Sequence, residues 1–258
     1  MSADARRYTY FLSDLHLGAR HAGDDIARQR RVMAFLREVA PTAKTIYLVG
    51  DVLDYWFEYR TVVPRGFVRF FGTLAELSDS GVHIVWLTGN HDIWLFDYLR
   101  NELGIEVADP AAGGIFRTID GARFFIAHGD GVGRQPRGFR ALRAIFRNKL
   151  CQKLYSAIHP RWTVALAHAW SSHSGKLTRV PEALAPEARA SVEVFARKLS
   201  ADNPDLRYIV LGHHHVALAE PVNSRCRLII LGEWISRCTY AVFDGEKLEL
   251  RAHRPENS

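Results

Sequence analysis

Five short polar segments carry the residue types that hold divalent cations: Asp14-Leu15-His16, Gly50-Asp51-Val52-Leu53-Asp54, Gly89-Asn90-His91-Asp92, His128-Gly129-Asp130 and Gly212-His213-His214-His215. Two cations held about 3.5–4 Å apart can clamp a phosphate and activate water for attack on it. Such a pair needs one bridging carboxylate, with imidazoles and oxygen donors filling the other positions. Asp51 is the candidate bridge. Asp14, His16 and His215 would complete one ion, and Asn90, His128 and His213 the other. If 213–215 is extended, side-chain alternation points His213 and His215 one way and His214 the other. Imidazole, carboxylate and amide together suit Mn, Fe, Co or Zn better than Ca or Mg, with Mn the expected activator.

Each segment follows a short apolar, β-rich run, at 8–12, 45–49, 82–87, 123–127 and 207–211. The polar side chains are therefore expected at the carboxyl ends of strands, where open α/β sheets build their sites. Between the strands, apolar residues recur at helical spacing over 24–40, 66–80 and 93–103, closed by Pro41, Gly81 and Gly104. Asp120-Gly121 and Asp244-Gly245 each separate two β-rich runs, the pattern of a tight hairpin. Helix-linked strands first and hairpins later predict two sheets packed together with helices outside.

The chain's 258 residues, 48% hydrophobic and 24% charged, can bury one substantial core. Cys151, Cys226 and Cys238 form no CxxC pair and leave one over, which argues against a disulfide framework. The first residues lack the apolar stretch of a signal peptide, and no uncharged apolar run approaches the ~18 residues that span a bilayer. A cytoplasmic location is expected. Helix-turn-helix, zinc-finger and RNP patterns are absent, so no nucleic-acid partner is expected.

The positive charge belongs to one segment. From Gly131 to Pro181 there is no Asp or Glu but ten Arg or Lys; the rest of the chain has 24 basic against 28 acidic residues. Within it Phe139, Leu142, Ile145, Phe146, Leu150 and Leu154 recur at helical spacing, with Arg140, Arg143 and Arg147 on an adjoining face. A basic amphipathic helix suits an anionic membrane surface or a large anionic ligand. Placed just after His128, it can fold over the metal mouth. The domain reading is therefore a core of 1–130 and 182–258 with a basic helical lid at 131–181. Trp56, Phe57, Trp94 and Phe96, beside the metal loops, would either pack in the core or line an apolar groove.

In order and spacing, these segments resemble the calcineurin-like metallophosphoesterase superfamily over nearly the whole chain. Tyr10 through Gly18, Gly50 through Glu58, His128-Gly129-Asp130-Gly131 and Leu231-Gly232-Glu233-Trp234 are similar, more closely, to the UDP-2,3-diacylglucosamine pyrophosphatases of lipid A synthesis. The resemblance implies a four-layer α/β/β/α sandwich. It also implies hydrolysis of an acylated nucleotide sugar to UMP and 2,3-diacylglucosamine 1-phosphate, by an enzyme peripheral to the inner membrane. The alternative is the same chemistry on a soluble nucleotide, a phosphoprotein or a nucleic acid. His91 matches the histidine that the superfamily uses beside the phosphate, oriented by a carboxylate at Asp54. The best-known branch of the closer group has Arg and Glu at these two positions, so this chain departs from it there. Ser171, Ser174 and Lys176 fall where related enzymes place a serine-rich, basic segment near the substrate head group.

Overall fold

The computed structural model describes residues 6–19, 22–108, 113–132, 137–163 and 183–254. Strands β1 (Tyr8–Leu12), β2 (Ala43–Val49), β3 (His83–Leu87) and β4 (Glu106–Ala108) are parallel neighbours. β10 (Thr239–Phe243) and β11 (Leu248–Ala252) extend that sheet antiparallel from β1, in the order β11-β10-β1-β2-β3-β4. The second sheet has the order β5-β6-β7-β9-β8. Its strands are β5 (Ile115–Ile119), β6 (Ala122–Ala127), β7 (Leu206–Leu211), β8 (Ala217–Pro221) and β9 (Arg227–Leu231). Its centre, β6-β7-β9, is parallel.

Strand alternation sorts the apolar side chains into three layers. Phe11, Tyr47, Val49, Val85 and Leu87 meet Phe124, Ile126, Tyr208, Val210, Ile229 and Leu231 between the sheets. Their neighbours Leu12, Ile46, Leu48, Ile84 and Trp86 face outward and pack under helices α1 (Asp25–Val39), α2 (Val68–Asp79) and α3 (Tyr98–Leu103). On the far side Ile209, Leu211, Leu228 and Ile230 lie under the helix at Pro186–Asp202. The fold is thus the α/β/β/α sandwich expected. Near-continuous apolar strands are what burial of both sheet faces demands.

Among the described residues, two further helices lie between β6 and the helix at Pro186–Asp202: α4 (Arg137–Arg147) and α5 (Lys149–Ser156), and that last helix is here labelled α6. One continuous amphipathic helix is not formed. Asn148 breaks it, accepting the amide protons of Leu150 and Cys151 as the cap of α5. The helix expected over 93–103 is also shorter. Residues 93–97 form a loop because the buried Glu58 carboxylate takes the amide N–H groups of Phe96, Asp97 and Tyr98, which starts the helix at Tyr98.

Candidate metal centre

The polar segments all leave the carboxyl ends of parallel strands on the same side of the sandwich. Asp14 follows β1, Asp51 follows β2, Asn90 follows β3, His128 follows β6 and His213 follows β7. Backbone hydrogen bonds lace the loops together. Asp14 N donates to Gly50 O at 3.1 Å, His16 N to Asp51 O at 2.9 Å, and Gly212 N to His128 O at 2.8 Å. Glycines permit the approach. A Cβ on Gly89 would lie 2.2 Å from Asp51 Oδ1, and one on Gly212 would lie 1.9 Å from Ser13 Oγ.

Among the described residues, three overlapping groups of ligand atoms each lie within 4.8 Å of one another: Asp14, His16 and His215; His16, Asp51 and His91; and Asp51, His128 and His213. Asp51 and His16 are shared between neighbouring groups. Asp51 Oδ2 is 3.2 Å from His128 Nε2 and 3.8 Å from His16 Nε2. Asn90 Oδ1 is 3.2 Å from His128 Nε2, so the one amide of the set joins the Asp51 side. His128 Nδ1 donates to Val49 O at 3.0 Å, which leaves Nε2 turned toward Asp51 and Asn90, the orientation a metal ligand would need.

The residues fit a pair of cations. His16 Nε2 and His215 Nε2 face each other at 3.1 Å. Asp14 Oδ1, which is buried and accepts no well-aligned hydrogen bond, lies 3.2 Å from the second of them. Two ring nitrogens and a carboxylate oxygen so arranged, largely out of water, call for positive charge between them, carried by a proton or by a cation. The titration behaviour says the same. Burial disfavours charge on His16, yet the Asp14 and Asp54 carboxylates beside it push its pKa up to about 10. Burial opposes ionisation of Asp51 too, but the His128 and His91 rings hold it well below the carboxylate range. Burial, and then the charge of His128, drives His213 down to about 3, so that ring stays neutral and keeps a lone pair to offer.

The extended His213–His215 segment is not observed. Both outer histidines have left-handed backbones, with φ of 68° and 54°, and they serve different groups: His213 joins Asp51 and His128, and His215 joins Asp14 and His16. Asp14, His16 and Asp51 are left-handed too, with φ of 56°, 44° and 51°. Non-glycine residues in this region are strained, and such strain concentrates where function fixes the geometry. His214 lies outside the three groups.

His91 stands at the rim, and its ring nitrogen Nδ1 donates to the backbone carbonyl of Asp54 at 3.0 Å. The Asp54 carboxylate is farther, 3.4 Å from that nitrogen and 3.5 Å from His16 Nδ1, so Asp54 serves both rings. Sequence reasoning gave no role to Asp92, although it lies in a quoted segment. Its buried carboxylate accepts the amides of Asp51, Val52 and Gly89 and the Trp86 indole N–H. Of the expected substrate-contacting residues, Ser171, Ser174 and Lys176 fall outside the described residues, as do the side chains of Arg140 and Arg143. Arg147 is half-buried at the end of α4.

Helices α4 and α5 sit on the aromatic residues beside the metal loops. Trp94 donates its indole N–H to Phe146 O at 2.9 Å and stacks on Tyr155, and the Tyr55 and Tyr155 hydroxyls are 3.1 Å apart. Phe57 and Trp94 are buried in this cluster with Phe146 and Tyr155 against them. Trp56 packs in the main core, while Phe96 is exposed.

A family model described as calcineurin-like phosphoesterase matches residues 8–217. The chain belongs to the calcineurin-like phosphoesterase family. Within that family it is 42% identical to the UDP-2,3-diacylglucosamine hydrolase of Porphyromonas gingivalis, over 96% of this chain and 98% of that one. It is 28% identical to the protein of the same name from Neisseria meningitidis serogroup A, covering 87% of this chain and 89% of the relative. A third relative of that name, from Nitrosococcus oceani, is 26% identical over 88% and 87%. Calcineurin-like phosphoesterases are metal-dependent hydrolases, and the clustered Asp and His side chains are the donor set such chemistry requires.

Proposed function

We propose that this chain hydrolyses the pyrophosphate bond of UDP-2,3-diacylglucosamine, releasing UMP and 2,3-diacylglucosamine 1-phosphate. The 42% identity to the Porphyromonas enzyme along nearly the full length of both chains carries this reading. When bound at this site, two divalent ions, Mn2+ in the first instance, would supply Lewis-acid activation of the phosphoryl group and of the attacking water. Asp14, His16 and His215 would hold one ion and Asn90, His128 and His213 the other, with Asp51 between them. His91, its Nδ1 committed to Asp54 O, offers Nε2 to the phosphoryl oxygens or the leaving group. Asp54 orients it, and no side-chain nucleophile is needed.

The segment 131–181 is proposed as the lid that selects an acylated substrate, with Arg140, Arg143, Arg147, Ser171, Ser174 and Lys176 toward the diphosphate head group. An anionic membrane surface is the proposed partner, and the cytoplasmic face of the inner membrane the proposed location. Leu150, Leu154, Ile158 and Trp162, four residues apart, are 47–68% exposed, and Lys149, Lys153 and Arg161 lie among them. An apolar stripe set in basic residues matches an anionic bilayer. Among the described residues no helix is long and apolar enough to cross a membrane.

The test is product analysis. The purified chain, given Mn2+ and UDP-2,3-diacylglucosamine, should release UMP and the diacylglucosamine 1-phosphate, detected by mass spectrometry. Failure on this lipid with rapid turnover of a soluble nucleotide would move the assignment to another phosphoester.

A further inference from the structure

We infer that Arg28 is a positioning residue for the metal centre, acting through the backbone that presents His16. Its guanidinium is 1% exposed, buried between the start of α1 and the loop leaving β1. One fork gathers that loop: Nη2 donates to His16 O at 3.0 Å and Ala19 O at 3.4 Å, and Nη1 to Ala22 O at 2.7 Å. Asp25 holds the fork in turn. Its Oδ1 accepts Arg28 Nη2 at 2.7 Å and the Gly18 amide at 2.6 Å, and its Oδ2 accepts Gln29 Nε2 at 2.7 Å.

Burying an ion pair costs desolvation, and an apolar pair of the same volume often stabilises a fold equally well. What the pair gives here is one backbone geometry. His16 is left-handed, and its amide is already committed to Asp51 O at 2.9 Å. Fixing its carbonyl with Arg28 leaves the residue one orientation, with its ring between Asp14 and Asp51. A planar fork with several donors can bind three carbonyls at once, which an ammonium cannot do. Arg28 touches no ligand side chain, so its effect should fall on the group of Asp14, His16 and His215 and spare that of Asp51, His128 and His213.

The inference rests on the two-ion reading, and Mn2+ alone tests it. Wild-type and Arg28→Met chains are dialysed against graded free Mn2+. Bound metal is counted by mass spectrometry, and electron paramagnetic resonance separates exchange-coupled pairs from isolated ions. Loss of a partner outside the ligand set weakens metal binding by roughly 10–100-fold. The variant should then keep one ion, seen as isolated Mn2+, at concentrations where wild type holds a coupled pair. Arg28→Lys should fall between the two. Wild-type affinity for both ions in Arg28→Met overturns the inference, as does an equal loss of both, which marks a role in the fold alone. If Arg28→Met does not fold, Arg28→Lys decides: a loss at one ion supports the inference, and wild-type affinity at both overturns it. A wild-type chain that binds no Mn2+ overturns the metal centre itself, and this inference with it.

Discussion

The carboxylate of Asp92 lies beneath the loop of Asp51, with Oδ1 3.2 Å from the Asp51 amide nitrogen and Oδ2 2.9 Å from that of Val52. With Gly89 N and Trp86 Nε1 also donating to it, one side chain fixes the loops after β2 and β3 together. Asp92→Ala strands these buried donors, at a cost of about 2–4 kcal/mol. Scanning calorimetry should show the melting temperature falling by roughly 5–15 °C for a chain of this size. Bound Mn2+ should fall with it, because Asp51 loses its support. A variant that melts with wild type would show that water or relaxation replaces the carboxylate.

His91 and its neighbours make opposite predictions for metal content. If His91 acts on the phosphoryl group, His91→Ala should lower kcat by about 10²–10⁴-fold and leave two Mn2+ bound. His128→Ala should release an ion. His91 belongs to one of the three ligand-distance groups, so the measurement is decisive: metal loss in His91→Ala makes it a ligand.

The proposed lid role of α4 and α5 is open to a separate test. Trp94→Leu removes the indole bond to Phe146 O and the stack on Tyr155. Limited proteolysis should then cut within 131–163 faster than in wild type. KM for the acylated nucleotide sugar should rise, while a small chromogenic phosphodiester, which needs only the metals, should turn over at the original rate. Equal losses on both substrates would give Trp94 a role in the whole fold.

Membrane association should need both charge and apolar surface. Leu150→Glu with Leu154→Glu, or neutralisation of Arg140, Arg143 and Arg147, should reduce co-sedimentation with phosphatidylglycerol vesicles. Raising salt should reproduce the second effect, since exposed charges are screened over about 8–10 Å at physiological ionic strength. Binding to neutral vesicles should be weak throughout. Self-association of wild type at the same stripe, seen by analytical ultracentrifugation and lost in the double glutamate variant, would assign the surface to a second copy.

The thiols should separate by burial. Burial pushes Cys226 up to about 11 and raises Cys238 as well, whereas Cys151 is half-buried on α5. The thiolate is the reactive form, and three units below its pKa it is about a thousandth of the population. At pH 8 one equivalent per chain should label quickly with an alkylating reagent, at Cys151. For Cys226 the rate should rise about tenfold per pH unit up to pH 11. Fast labelling of all three at pH 8 would contradict the buried placement.

The metal loops were legible because each follows an apolar strand run, and strand ends are where polarity must change. The hairpin of β5 and β6 was legible for a local reason, since Asp-Gly admits the left-handed turn at 120–121. What escaped was set by distant partners. Glu58 shortens the helix at 93–103 from 38 residues away, and nothing local announces it. The expected amphipathic helix breaks at Asn148, a capping residue inside an otherwise periodic pattern. Arg28 did leave a trace: it lies on the buried face of α1 with Val32, Phe35 and Val39, a charge where the pattern calls for an apolar side chain. The alternation argument for His213 and His215 assumed extended backbone, whereas both have positive φ; their expected division between two groups, with His214 in neither, does not depend on it.

Among the described residues, five of the seven non-glycine residues with positive φ are expected metal ligands: Asp14, His16, Asp51, His213 and His215. Glycine would adopt that conformation without the steric penalty. Backbone strain and the expected metal ligands therefore coincide at these positions. A selection for thermal stability alone, blind to activity, would erode the centre from His213 and His215 outward, where the ligand loop is the least buried, and would return a tougher sandwich that no longer hydrolyses anything.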